Sequence, residues 1–151
     1  MSLIEPDLHL QKPLEDYCES LEKLNRRSLP VLTSLYSPLI SYSDPYHTAQ
    51  GLEVIEALWM RKINLCGGVD YRVHDFMWGR RAATANIVWS CCYSLRRKRL
   101  LKRDEEDRCV IEGVSELVFD MDGKILSNTE FWGKHSHFDI KAYSLPHSSK
   151  G

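Results

Sequence analysis

Charge of one sign is the first thing this chain lacks. Twenty Lys and Arg stand against 21 Asp and Glu, leaving a net charge of −1 at pH 7. No whole-molecule field therefore draws it toward nucleic acid or an anionic membrane surface. The expected partner is instead a small, largely apolar molecule, with no nucleic acid and no membrane. Long apolar runs are missing too: no window approaches the roughly 20 apolar residues of a membrane helix, and "MSLIEPDLHLQK" holds no basic segment leading into an apolar stretch. A cytoplasmic, unexported protein is expected. The five cysteines, Cys18, Cys66, Cys91, Cys92 and Cys109, are odd in number and contain no Cys-x-x-Cys pair. That excludes a zinc knuckle or a complete disulfide framework and leaves reduced, packed thiols. Repeats and low-complexity stretches are absent.

What is present suits one cored domain. A chain of 151 residues with 43% hydrophobic residues is long enough to bury about 68–70% of its unfolded surface. The expected organisation is a tail over 1–12, a domain over 13–135 and a second tail over 136–151. Leu14, Tyr17, Leu21 and Leu24 recur at helical spacing behind Pro13, with Glu15 and Asp16 in the first turn and Arg26 and Arg27 closing the segment. Ser28 is placed to cap a second short helix carrying Val31, Leu32, Leu35 and Tyr36, which Pro38 stops. "LISYSD" alternates, putting Ile40, Tyr42 and Asp44 on one face. Leu52, Ile55, Trp59 and Ile63 then mark a third helix, ended by "CGG".

From there the period is two. Residues 70–78, 82–95, 108–119 and 124–132 read as strands, the last two joined by "DMDG", a tight-turn signal. Three helices followed by strands make an α+β pattern, expected as a curved, mainly antiparallel sheet of roughly four to six strands with the helices on its concave side.

Asp-Pro-aromatic after a short strand, Gly51 before an amphipathic helix, "VFDMDGKI" and the closing "EFW" together resemble the nuclear transport factor 2-like superfamily, which includes SnoaL-like cyclases and ketosteroid isomerases. The similarity covers roughly residues 14–133. It implies a cone-shaped α+β roll with an apolar pocket at its open end, often in a homodimer, and no cofactor. In ketosteroid isomerases the aspartate of the Asp-Pro pair is the proton-shuttling base, and Asp44 takes that place. Tyr36 and Trp59 match aromatic residues near the pocket, and Trp132 matches a pocket tryptophan on the final strand. The isomerase oxyanion donors fall on Ser20 and Ser115 here, with Tyr17 one helical turn away. Steroid isomerisation by that mechanism is therefore not expected.

The residues leave two roles open for Asp44: a turn-maker before helix three, or a pocket carboxylate whose pKa is raised by aromatic walls. Alternation back from Trp132 puts Glu130 and Asn128 on the same face, where Glu130 either joins Asp44 or meets an arginine such as Arg72. His47 is either an exposed loop residue or a general acid at the pocket rim. The candidate catalytic residues are thus Asp44, His47 and Glu130. The candidate ligand-binding residues are Tyr17, Tyr36, Tyr42, Trp59, Ser115, Asn128 and Trp132. No metal is expected, since His135 and His137 are two ligands without a third. "GVSE" lacks the second glycine of a nucleophile elbow. "RRKRLLKRDEEDR", Arg96 to Arg108, neutralises itself within a few residues and reads as a solvated hairpin. Two function classes stand: a cyclase, lyase or isomerase using Asp44 on a small carbonyl-bearing substrate, and a non-catalytic ligand-binding or dimerisation module.

Overall fold

A computed structural model describes residues 8–95 and 107–133. Residues 96–106, which hold most of the expected charged hairpin from Arg96 to Arg108, lie outside the described residues, as do His135, His137 and the expected C-terminal tail. Ordered helix begins earlier than expected. A 3-10 turn, Leu8–Leu10, leads into α1, Gln11–Glu22, and Leu10 is only 1% exposed. One more apolar side chain delivered to the core makes this turn part of the domain instead of a tail. Along α1, Leu14, Tyr17, Cys18 and Leu21 are buried, while Lys12–Asp16 and Lys23–Glu19 pair across the solvated side.

The short α2, Leu29–Thr33, buries Leu29 and Leu32 and leaves Val31 exposed. Ser28 does not cap it. The Ser28 hydroxyl instead accepts from the Asn25 N–H (2.8 Å) and donates to the Lys23 carbonyl (2.9 Å), fastening the turn between the helices. Pro38 does not stop that helix either. It lies inside β1, Tyr36–Ser43, where the register with β6 shifts between Tyr36 and Ser41. An irregular stretch is where a residue without an N–H costs a sheet least.

A three-residue strand that the sequence pattern did not announce, β2 (Thr48–Gln50), folds back on β1, and α3 follows as Leu52–Leu65. Gly51 makes this corner with φ 91°, a conformation that favours glycine. β3 (Cys66–Trp78), β4 (Thr84–Leu95), β5 (Asp107–Phe119) and β6 (Ile125–Trp132) complete the sheet in the order β2-β1-β6-β5-β4-β3. All pairs are antiparallel except β1 with β6. Because α3 packs on both β1 and β3, near opposite ends of that order, the sheet curls around the helix as an open cone.

Two local devices shape the interior. Trp89 lies opposite Gly113, where an added Cβ would come within 2.5 Å of the indole. Glycine there lets the largest side chain of β4 lie flat across β5. At the β5–β6 turn, Asp120 Oδ1 accepts from the Asp122 and Lys124 N–H groups, both at 2.9 Å, and Gly123 takes φ 79°. This is the expected hairpin turn.

Candidate functional site

Period-two alternation along β1 sends Ile40 and Tyr42 into the cone, and Asp44 follows at the strand's end. The two oxygens of Asp44 then do different work. Oδ1 accepts from the Tyr46 N–H (2.8 Å) and the His47 N–H (2.7 Å), while the Asp44 N–H donates to the His47 carbonyl (2.9 Å). Pro45 has no N–H to offer, but the two residues after it do. The turn role is therefore real, and it occupies one oxygen. Oδ2 accepts from the Tyr42 hydroxyl at 2.8 Å and lies 3.3 Å from Lys62 Nζ.

Around this carboxylate a charged cluster closes. The Tyr42 hydroxyl also reaches Glu130 Oε1 at 2.9 Å and accepts from Lys62 Nζ at 2.6 Å. Trp132 Nε1 donates to the same Glu130 oxygen at 3.1 Å. His47 Nδ1 is 2.9 Å from Asp44 Oδ1, and since an ionised carboxylate only accepts, that nitrogen carries the proton. Lys62 Nζ sits over the rings of Trp59, Tyr42 and Trp132 at 4.8, 4.9 and 5.6 Å. All of these residues except Trp132 are buried, His47 included at 8% exposure, so the exposed-loop reading of the histidine fails. Arg72 is exposed and faces Asp70; the cation that Glu130 meets is Lys62, at 3.9 Å.

The two carboxyls are driven apart. Burial opposes the charge on Asp44, yet the bond from His47, the Lys62 ammonium, the Tyr46 N–H and Tyr42 together hold it well below the usual carboxylate range. The expected rise in its pKa is overturned, because burial here came with donors on every side. Glu130 goes the other way: burial pushes it up, Lys62 pulls it back, and the charge on Asp44 pushes it up again. Proton counting agrees. One phenolic hydrogen on Tyr42 cannot serve two carboxylates at once, and the set is satisfied when Glu130 carries a proton. Two carboxyls with separated pKa values divide naturally into a proton carrier and a fixed charge.

Deeper in the cone lies a second, neutral cluster. The Tyr17 and Tyr36 hydroxyls meet at 2.9 Å, and Asn128 Nδ2 approaches them at 3.3 and 3.4 Å. Tyr17 therefore bonds to Tyr36 and Asn128 and not to Asp44. Burial, first of all, raises both tyrosines, Tyr36 to about 12. Ser20 lies outside the cone, on a surface hollow with Lys23, Val31 and Leu35. Ser115 accepts from Trp89 Nε1 at 2.9 Å and so fixes an aromatic wall. Between the walls remains a cavity of about 10 Å3, lined by Lys62, Tyr71, Trp89, Tyr93 and Trp132 among others, barely room for one water. Of the expected ligand-binding residues only Trp132 lines it. Tyr42 and Trp59 stand against Lys62.

Lys62 was the residue the sequence reading passed over. It falls three residues after Trp59 and seven after Ile55, on the apolar face of α3. A lone lysine in that stripe was the available signal.

No family model matches the chain, and no curated protein matches it either. Solved structures do. A nuclear transport factor 2-like protein of unknown function from Exiguobacterium sp. 255-15 superposes with TM-score 0.67 at 13% identity, covering 81% of this chain and 98% of that one. A putative SnoaL-like polyketide cyclase from Shewanella denitrificans OS-217 gives TM-score 0.64 at 14% identity, covering 94% and 98%. The epoxide hydrolase/cyclase-like enzyme SalBIII, described in pyran ring formation in the polyether salinomycin, gives 0.67 at 11%, covering 86% and 95%. The chain has the nuclear transport factor 2-like fold shared by SnoaL-like and ketosteroid isomerase-like proteins. Among the described residues no helix is long and apolar enough to cross a membrane, and no group of three or more metal-ligating side chains occurs.

Proposed function

We propose that this protein is a cofactor-independent proton-transfer enzyme of the cyclase, isomerase or lyase kind, acting on a small, largely apolar, carbonyl-bearing molecule. One observation carries the reading: Tyr42 bridges two buried carboxyls, with Lys62 on the same hydroxyl. Apolar residues of similar volume would often be as stable or more so, so packing alone gives no reason for the set. Glu130 is the proton carrier. Asp44, ionised and tied to its turn, anchors Lys62 and His47, and Lys62 stabilises negative charge developing on the substrate oxygen. Cyclase descriptions among proteins of the same fold are compatible with this chemistry.

The near-full cavity supports a second reading, a non-catalytic module whose cone is packed by its own aromatic rings. Under the first reading the substrate enters by displacing Trp132, the half-buried member of the wall. The discriminating experiment is α-proton exchange of cyclohexanone in D2O, followed by NMR. At least tenfold faster exchange with the native chain than with Glu130→Gln is expected; equal rates would leave only the module.

We also propose a two-fold homodimer through the outer face of the sheet. Val88, Val114 and Phe131 fall in one row across β4, β5 and β6, and Phe131 is 58% exposed. An apolar row of this kind on a convex sheet favours burial against a second copy. Sedimentation should show a dimer that Phe131→Glu disperses; a native chain that is monomeric at micromolar concentration would end this proposal.

A further inference from the structure

We propose that Lys62 is a covalent site, forming an imine with the carbonyl of an aldehyde or ketone. The inference deepens the proton-transfer reading and rests on it, since Glu130 moves the protons in both. Three features of the geometry point to the lysine. Its side chain is only 6% exposed and lines the cavity between Trp132 and Tyr71, so an entering carbonyl meets the amine. Its nitrogen donates to the Tyr42 hydroxyl at 2.6 Å, and that hydroxyl lies 2.9 Å from Glu130 Oε1, to which it donates once Glu130 has given up its resting proton. A two-step path for a proton therefore runs from the ammonium to a carboxylate. Aromatic faces of Trp59 and Tyr42 flank the nitrogen, and with a substrate in the place of Trp132 they keep away water that would hydrolyse an imine.

The step balances with no outside oxidant or reductant. Glu130 first releases its resting proton to solvent; the ammonium proton then passes to Tyr42 while the Tyr42 proton passes to Glu130, leaving a free amine and a carboxylic acid. The amine lone pair forms the N–C bond as the carbonyl π bond opens onto oxygen. A proton moves from nitrogen to that oxygen, giving a neutral carbinolamine. Its hydroxyl departs as water with the proton that Glu130 returns, while nitrogen closes the C=N bond as a protonated imine. The sum is one ketone and one ammonium giving one protonated imine and one water, with Glu130 again a carboxylate. That carboxylate then removes the α-proton, which the positively charged imine has made more acidic, to leave an enamine. Asp44 remains the fixed counter-charge throughout, 3.3 Å from the nitrogen at rest. An amine becomes nucleophilic when an adjacent base takes its proton, here Glu130 by way of Tyr42.

The test uses the full chain with cyclohexanone as the probe and sodium cyanoborohydride as the trapping reductant. Intact mass followed by peptide mapping is expected to place a stable cyclohexyl adduct on Lys62 at least tenfold more often than on the exposed Lys12, Lys23 and Lys124. Omitting the ketone or substituting Lys62→Arg should abolish it. An adduct spread over the exposed lysines alone, or none, would overturn the imine. Mapping on the native chain decides this even if the variant fails to fold. Cyclohexanone α-proton exchange separates the two ideas. Exchange that proceeds without a Lys62 adduct removes the imine and keeps the acid–base reading, whereas loss of both removes both.

Discussion

The cone of this protein holds two buried polar clusters, and they obey different rules. Tyr17, Tyr36 and Asn128 are neutral, sealed and shared among three elements, so each hydrogen bond replaces one that water would have made. Tyr42, His47 and Glu130 gather around the ion pair of Asp44 with Lys62, and Lys62 looks into the cavity. Removing one partner from a neutral cluster costs a hydrogen bond. Removing one from an ionic cluster leaves a charge stranded where water cannot reach it. Stability alone would favour the first kind, and the second is where chemistry is to be sought.

Asp44→Ala should give the largest effect. It strips two N–H groups of the turn of their acceptor and takes from Lys62 its nearest carboxylate, at a cost of about 3–5 kcal/mol, measured by urea denaturation. Asp44→Asn keeps an oxygen for the turn, so the fold should persist with a loss of about 1–3 kcal/mol. Equal costs for both would mean that the charge of Asp44 is irrelevant.

Acid and base should pull the charged cluster in opposite senses. The Asp44 pKa is lowered from its ordinary 3.8, so its contribution is present above that value and is lost as pH falls through the lower folded value. Glu130 is raised above its ordinary 4.5. The folded state then binds more protons than the unfolded one, and stability falls as pH rises from 4.5 through the raised value. Denaturation of Glu130→Gln beside the native chain from pH 4 to 8 should show the variant gaining on the native chain as pH rises from 4.5 through the raised value of Glu130. A constant difference would mean that Glu130 does not carry the proton.

The smallest change belongs to the neutral cluster. Tyr17→Phe removes one hydroxyl from a set of three side chains and should cost about 1 kcal/mol, with no dependence on pH over the same range. A pH-dependent loss there would join the two clusters into one network.

How much of this was legible beforehand depends on the range of the interaction concerned. The spacing of Leu14, Tyr17 and Leu21, the alternation through Ala85, Ile87, Trp89, Cys91 and Tyr93, and "DMDG" are local signals, and local backbone geometry answers to them. Pro38 and Ser28 misled because each was given a rule for helix ends, whereas pairing with β6 and the turn at Asn25 decided their places. β2 is too short to show a period at all.

The sequence by itself determined the α+β order, the inward face of β1 and the placing of Glu130 on a strand and Asp44 just past the end of another, because side-chain direction follows period two once a strand forms. Only the tertiary structure decided which charges meet. Lys62 comes from α3, eighteen residues beyond Asp44 and far from Glu130 along the chain, and the curl of the sheet around that helix sets its nitrogen between them. The sign of the Asp44 shift followed from that meeting. Burial alone raises a carboxyl, and only the donors folded around it bring it down.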